Sequence, residues 1–118
     1  MPTKRDRLVR EIRGLMSASD ALSDVLERYK AANATLIDRV KAGESVLEAL
    51  DGLQVPMRRH RELTETLEEF EAARHRVRRS LIALSTSQGA SLSELARKLG
   101  ISRQLASRLA AGTPDPND

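Results

Sequence analysis

The first forty residues carry apolar side chains at alternating steps of four and three, and this repeat constrains the fold more than any other feature. The line runs through Leu8, Ile12, Leu15, Ser19, Leu22, Leu26, Tyr29, Asn33, Leu36 and Val40. Such a heptad seam predicts an amphipathic α-helix that packs against another helix. The residues that widen the stripe are Val9, Met16, Val25 and Ile37. A wider stripe favours two neighbours, as in a bundle or a dimer of helical hairpins.

The sequence leaves open whether this first helix is continuous. Gly14 and the polar stretch 17–20 either end a helix or are tolerated inside one. An unbroken helix to Lys41 would be about 55 to 60 Å long, which is longer than a compact monomer of 118 residues should be across. A continuous helix therefore predicts a partner chain. Asn33 either pairs with the same residue of that partner or stays exposed on a curved helix.

The remaining segments also have helical patterns. Gly43 ends the first segment, and residues 44–53 predict a short amphipathic helix before a break at Gly52 and Pro56. The apolar face of this short helix consists of Val46, Leu47, Leu50 and Leu53. A second long helix is predicted from Met57, and its apolar positions are Leu63, Leu67, Phe70, Val77, Leu81 and Leu84. Aromatic residues make up 2% of the chain, which favours helix over strand.

Charge is distributed unevenly along the chain. Residues 72–112 contain eight basic residues and one acidic residue, Glu94, which gives a net charge of +7. Residues 62–71 contain five glutamates and no basic residue. Because phosphate contacts depend on local rather than total charge, the basic region predicts a polyanionic partner.

Composition argues against several classes of protein. The absence of cysteine excludes a disulfide framework, a thiolate metal site and a cysteine nucleophile. No apolar run is long enough for a signal peptide or a membrane span, so we expect a cytoplasmic protein without membrane contact. His60 and His75 lack metal-ligand spacing and are interpreted as surface residues. With no phosphate-binding loop and no nucleophile beside a base, we expect no catalytic residue, no cofactor and no metal.

Residues 92–109 carry the most specific pattern, LSELARKLGISRQLASRL. Ala96 is small enough for a second helix to cross closely, and Gly100 suits a left-handed turn. The apolar positions that would hold the two helices together are Leu95, Leu99, Ile101, Ala106 and Leu109. Ser91 and Glu94 match a capping box for the first helix, and Ser102 is a favourable N-cap for the second. The stretch 110–112 then ends the second helix at a glycine.

This segment resembles the helix-turn-helix superfamily of bacterial DNA-binding regulators, and the resemblance covers about a quarter of the chain. It implies that the helix from Ser102 to Leu109 enters the major groove. The outward residues expected to contact base edges are Arg103, Gln104, Ser107 and Arg108. Those expected to contact phosphates are Ser91, Ser102, Arg97, Lys98, Arg76, Arg78 and Arg79. For the arginines of the second long helix, a solvated surface is the alternative.

Two short helices bury too little apolar area to fold alone, so the end of the second long helix must supply a third side. The residues expected there are Val77, Leu81, Ile82 and Leu84. The sequence thus predicts a dimerisation or interaction region in residues 1–76, a DNA-binding region in 77–112 and a disordered tail in 113–118. The fold class is all-α, with long N-terminal helices forming a hairpin or bundle, dimeric, followed by the helix-turn-helix.

The function that follows from these expectations is sequence-specific binding of double-stranded DNA by a homodimer, as in a transcriptional regulator located at the nucleoid. Two recognition helices would lie roughly 34 Å apart and enter successive major grooves. One alternative is a helical protein-interaction module, antitoxin-like or polymerase-associated, with a second protein as partner. Another is an architectural nucleoid protein that binds DNA without sequence preference.

Overall fold

The computed structural model describes residues 1–53 and 56–112, and it describes the side chains of all of these except 56–60. This part of the chain forms five α-helices and no strand. The helices are α1 (Lys4–Lys41), α2 (Val46–Gly52), α3 (Pro56–Ser87), α4 (Leu92–Leu99) and α5 (Arg103–Ala110). The predicted all-α fold class is confirmed. The side chain of His60 and the tail predicted for residues 113–118 lie outside the described residues.

Helix α1 is continuous through Gly14 and residues 17–20, which decides between the two possibilities left open by the sequence. Its 38 residues correspond to a length of about 57 Å. The first turn is closed by Thr3 and Asp6, because each donates its backbone N–H to the other's side-chain oxygen at 3.0 Å. The hydrogen bond from the Thr3 N–H, followed by the one between the side chains, holds the pKa of Asp6 below its usual value. The half of the cap that uses the Asp6 carboxylate is therefore fully formed at neutral pH and weakens as the pH falls through that lowered pKa.

The chain divides into two compact units, and each is described by itself. The terminal unit consists of residues 1–17 and the described residues from 71 onward, and the middle unit consists of residues 18–70. The predicted boundary at residue 76 divides a dimerisation or interaction region from a DNA-binding region and does not refer to packing units. It stays a prediction.

In the terminal unit, α3 is buried on two opposite sides. Ala73, Val77 and Ser80 are buried on one side at steps of four and three, and His75 and Ile82, seven residues apart, are buried about 180° around the helix. The interpretation of His75 as a surface residue is wrong, since it is only 7% exposed. It lies seven residues before Ile82 and hence on the same side of α3, away from the predicted line through Val77. An ion pair joins α3 to α1, with Arg76 Nε 3.3 Å from a carboxylate oxygen of Glu11.

In the middle unit, α2 is short but well capped. Ser45 and Glu48 form a capping box in which the N–H of Glu48 donates to Ser45 Oγ at 3.2 Å, and the N–H of Ser45 donates to the Glu48 carboxylate at 3.4 Å. Ala49 is fully buried, whereas Val46 and Leu47 of the predicted apolar face are exposed. That part of the prediction is wrong, because α2 packs on the side of its alanine and of Leu50, which is half-buried.

The packed face of α1 differs from the predicted seam. The less exposed positions follow steps of three and four through Leu8, Glu11, Leu15, Ala18, Leu22 and Val25, and then, after a step of seven, through Ala32, Leu36 and Arg39; Ser19 is also half-buried. Of the predicted line, Leu8, Leu15, Ser19, Leu22 and Leu36 are among the less exposed positions, but Ile12, Leu26, Tyr29, Asn33 and Val40 are exposed. The helix thus carries a packed line and an exposed apolar line beside it, and the predicted seam took members of both. Within the single chain, Asn33 is exposed.

Candidate nucleic-acid interface

Helices α4 and α5 are each eight residues long and are joined by the turn 100–102. Ser91 caps α4 by accepting the N–H of Glu94 at 3.1 Å, which is the serine half of the predicted capping box. Ser102 caps α5 by accepting the N–H of Leu105 at 3.0 Å. Both predicted N-caps are thereby confirmed. These bonds fix the boundaries of α4 and α5, and hence the side chains that each helix exposes.

Gly100 makes the turn between α4 and α5 in the left-handed conformation, with φ 69° and ψ 29°. Its N–H donates to the carbonyl of Arg97 at 3.3 Å, and the N–H of Ile101 donates to the carbonyl of Ala96 at 3.0 Å. The last carbonyls of α4 are thus satisfied as the chain reverses. The predicted glycine turn is confirmed.

Replacing Gly100 with alanine should destabilise the protein by about 1 to 2 kcal/mol, because an L-residue is strained in this conformation. Gly14 supplies a matched control, since neither glycine has an atom within 4 Å of the position a Cβ would take, and only Gly100 has a positive φ. Gly14→Ala should stabilise α1 by about 0.5 to 1 kcal/mol. Urea unfolding followed by circular dichroism measures both changes. Equal effects of the two substitutions would contradict the role given to the turn.

A small core holds α4 and α5 together and attaches them to α3. Its buried members are Ile82, Ala96, Ala106 and Leu109, and partly buried residues packed against them are Leu92, Leu95, Leu99, Ile101 and Leu105. All five apolar positions predicted for the two-helix segment belong to this cluster. Of the third side predicted on α3, Ile82 lies in the cluster, Val77 is buried, and Leu81 and Leu84 are half-buried. Ala96 and Ala106 are at most 4% exposed, as expected where two helices approach closely.

The outward face of α5 consists of the four residues predicted to contact bases. Arg103, Gln104, Ser107 and Arg108 are all exposed. Their spacing places them on one side of the helix, because residues four apart are neighbours on its surface. Ala106 and Leu109 on the other side are buried in the core. The four side chains therefore form one continuous surface, and their contact with bases stays a prediction.

The residues predicted to contact phosphates differ in how available they are. Arg97 and Lys98 lie exposed in the last turn of α4. Arg76 is exposed but paired with Glu11, while Arg78 and Arg79 are half-buried. Ser91 and Ser102 are exposed, yet their hydroxyl oxygens already accept cap hydrogen bonds. A phosphate would thus meet Arg97 and Lys98 without competition from these contacts.

The two short helices carry a positive surface. The charged residues of α4 and α5 are Glu94, Arg97, Lys98, Arg103 and Arg108, so four bases minus one acid leave +3, and all five are exposed. Three of the four bases lie on or beside the turn that joins the helices. Such local charge suits an anionic ligand larger than a single ion.

The described part of the chain holds no group of three or more His, Cys, Asp or Glu side chains that could bind a metal ion. Among those residues, no helix combines the length and the apolar character needed to span a membrane. The chain matches no family model, and no curated protein or solved structure is significantly similar to it.

Proposed function

We propose that this chain is a helix-turn-helix protein that binds double-stranded DNA sequence-specifically as a homodimer, and that it acts as a bacterial transcriptional regulator. The observation that carries the proposal is the continuous exposed face of α5. That face presents Arg103, Gln104, Ser107 and Arg108, while the opposite face is buried against α3 and α4. A side-chain surface with its own supporting core is what reading a groove requires.

The dimensions and chemistry of α5 fit the major groove. An α-helix with its side chains is about 10 to 12 Å in diameter, and the major groove is about 12 Å wide. An arginine can donate two hydrogen bonds to O6 and N7 of guanine, and a glutamine can pair with N6 and N7 of adenine. Arg103 and Gln104 stand in the first turn of α5, the end of a recognition helix that commonly meets bases. They are therefore the side chains expected to set the preferred sequence.

Arg97 and Lys98 would hold the protein on the DNA backbone. They are exposed and lie next to the turn that leads into α5. A contact to phosphate orients the protein on the duplex without reading its sequence, and it releases condensed counterions. Affinity should accordingly fall steeply as salt is raised.

The proposed homodimer is supported by the continuity of α1, the condition under which the sequence predicts a partner chain. Two copies would present two α5 helices to one duplex. A near-palindromic site with half-sites about 34 Å apart would accommodate them.

The test is a fluorescence-polarisation titration of a random-sequence duplex at about 50 and 200 mM salt. We expect binding that weakens with salt. The double variant Arg97→Ala and Lys98→Ala should flatten the logarithmic salt slope by about 4, because each of the two copies loses two phosphate contacts. No detectable binding at the lower salt concentration would overturn the proposal.

Specificity is tested separately by selecting bound duplexes from a random pool. An enriched, near-palindromic motif supports a sequence-specific regulator. Salt-dependent binding without an enriched motif would instead make the protein an architectural DNA binder and would overturn the specific part of the proposal.

A further inference from the structure

The middle unit exposes large apolar side chains on two of its helices. On α1 and α2 these are Leu26, Tyr29, Ile37, Val40, Val46 and Leu47, with exposed fractions from 42% to 75%. At roughly 150 to 200 Å² for each large apolar residue, they leave on the order of 600 Å² of apolar surface. A stable protein interface buries about 800 Å² on each partner. Leu26, Tyr29, Ile37 and Val40 on α1 account for more than half of this area. An interface centred on α1 therefore reaches that size only with Val46, Leu47 or polar residues at its rim.

The exposed apolar residues of α1 are arranged as a line. Leu26, Asn33 and Val40 repeat every seven residues, and Tyr29 and Ile37 flank Asn33 four residues away on either side. The same helix packs within its own unit through a different line, which includes Val25, half-buried Ala32 and half-buried Leu36. We call the line of Leu26, Tyr29, Asn33, Ile37 and Val40 the outer face of α1.

Charge is scarce on this outer face, as in the centre of a protein interface. Between Leu26 and Val40, Lys30 is the charged residue that lies beside it. Two arginines of the same stretch point away from it and form ion pairs inside the unit, Arg28 with Glu62 at 2.6 Å and Arg39 with Glu44 at 3.5 Å. These two arginines are thus held on the sides that the middle unit already uses.

We infer that the outer face of α1 packs against the outer face of a second copy of this chain, with Asn33 of one copy against Asn33 of the other. The inference rests on the homodimer of the proposed function and gives it an interface. Asn33 is the reason to choose a second copy over an unlike apolar helix. Its amide needs both a donor and an acceptor once buried, and an identical amide across a two-fold axis supplies both.

A cysteine placed at the centre of this face gives the first test, because the chain has no cysteine of its own. Asn33→Cys should form an interchain disulfide on mild oxidation, since the two Cα atoms would lie within the roughly 7 Å that a disulfide spans. Asp24→Cys is the matched control. Asp24 is exposed on the same helix, nine residues earlier and hence about 180° around it. Equal cross-linking of the two variants, or none for Asn33→Cys, overturns the interface.

A charge on the face gives the second test, without any covalent bond. Ile37 is 55% exposed, so Ile37→Glu should leave the helix content of the single chain unchanged. In the dimer the new carboxylates are buried on both copies, and we expect the dissociation constant of the dimer to rise by about 100-fold or more. Met16→Glu, at a side chain 62% exposed on α1 in the terminal unit, should leave it unchanged. Sedimentation equilibrium measures both.

These measurements need no DNA, which separates the two proposals. A wild-type dimer that Ile37→Glu dissociates, but that binds no duplex, keeps the interface and overturns the proposed function. Salt-dependent DNA binding with an unchanged mass for Ile37→Glu overturns the interface and keeps the function. A wild-type chain that is monomeric at 100 times the concentration used for DNA binding also overturns the interface.

Discussion

Ile82→Ala is expected to lower the free energy of unfolding by about 3 kcal/mol. The side chain is 1% exposed and is the largest fully buried one among the described residues. It is the contribution of α3 to the core that holds α4 and α5. Removing its outer carbons costs the lost burial and leaves a cavity, and for isoleucine to alanine the sum usually lies between about 2 and 5 kcal/mol.

The matched control is Ile12→Ala, in the same unit and also within a long helix. Ile12 is 38% exposed, so its truncation removes less buried surface. Because both substitutions occur within a helix, the gain in helix propensity from alanine is common to both and cancels in the comparison. Urea unfolding should show Ile82→Ala at least about 1.5 kcal/mol more destabilising than Ile12→Ala. A smaller difference would mean that α4 and α5 do not depend on α3 for their packing.

The local signals of α4, the turn and α5 were predictable because each is decided within a few residues. Ser91 and Ser102 accept the backbone N–H three residues later, and Gly100 reverses the chain in a left-handed conformation that glycine, unlike most residues, adopts without strain. The inward positions of α5 follow from its period of 3.6 residues once its start is fixed. The exposed face with Arg103 and Gln104 could therefore be derived before any tertiary contact was known.

The face by which α1 packs was not predictable in the same way. Two apolar lines on one helix satisfy the heptad pattern equally well, and the sequence does not say which one meets the chain's own helices. The packed face includes small residues such as Ala18 and Ala32, which a search for leucines at heptad spacing does not detect. Leu26 and Val40 lie outside the packed face and are exposed. They therefore mark a surface of α1 that the chain's own helices leave available to a partner.

Buried positions on α3 show the same limit. Ala73 is 2% exposed and Ser80 is 8% exposed, yet neither has the size or apolarity that a hydrophobic pattern detects. Their burial depends on how closely neighbouring helices approach, which is a tertiary property.

Tertiary packing also decides which arginines of α3 are available to a ligand. Arg78 and Arg79 looked like surface cations in the sequence, and their partial burial makes Arg97 and Lys98 the better candidates for phosphate contact.

Arg103→Ala is expected to weaken binding to the selected DNA motif by about 30-fold or more, because each of the two copies loses a two-point contact to guanine that contributes about 1 to 3 kcal/mol. Binding to random duplex should weaken much less, since each copy then loses one positive charge and no base contact. Arg103 is exposed and lies at the start of α5, outside the buried cluster, so the fold should be unaffected. Polarisation titrations on the two duplexes measure the ratio.

Arg13→Ala provides the control for charge, because Arg13 is exposed on α1 in the terminal unit and is not one of the predicted contacts. It should leave the preference for the motif unchanged. Repeating the selection with Arg103→Ala should yield a motif that is degenerate at one symmetric pair of positions and intact elsewhere, since each copy of α5 reads one half-site. If Arg103→Ala weakens binding to both duplexes by the same factor, Arg103 contacts phosphate, and the base-reading role passes to Gln104 and Arg108.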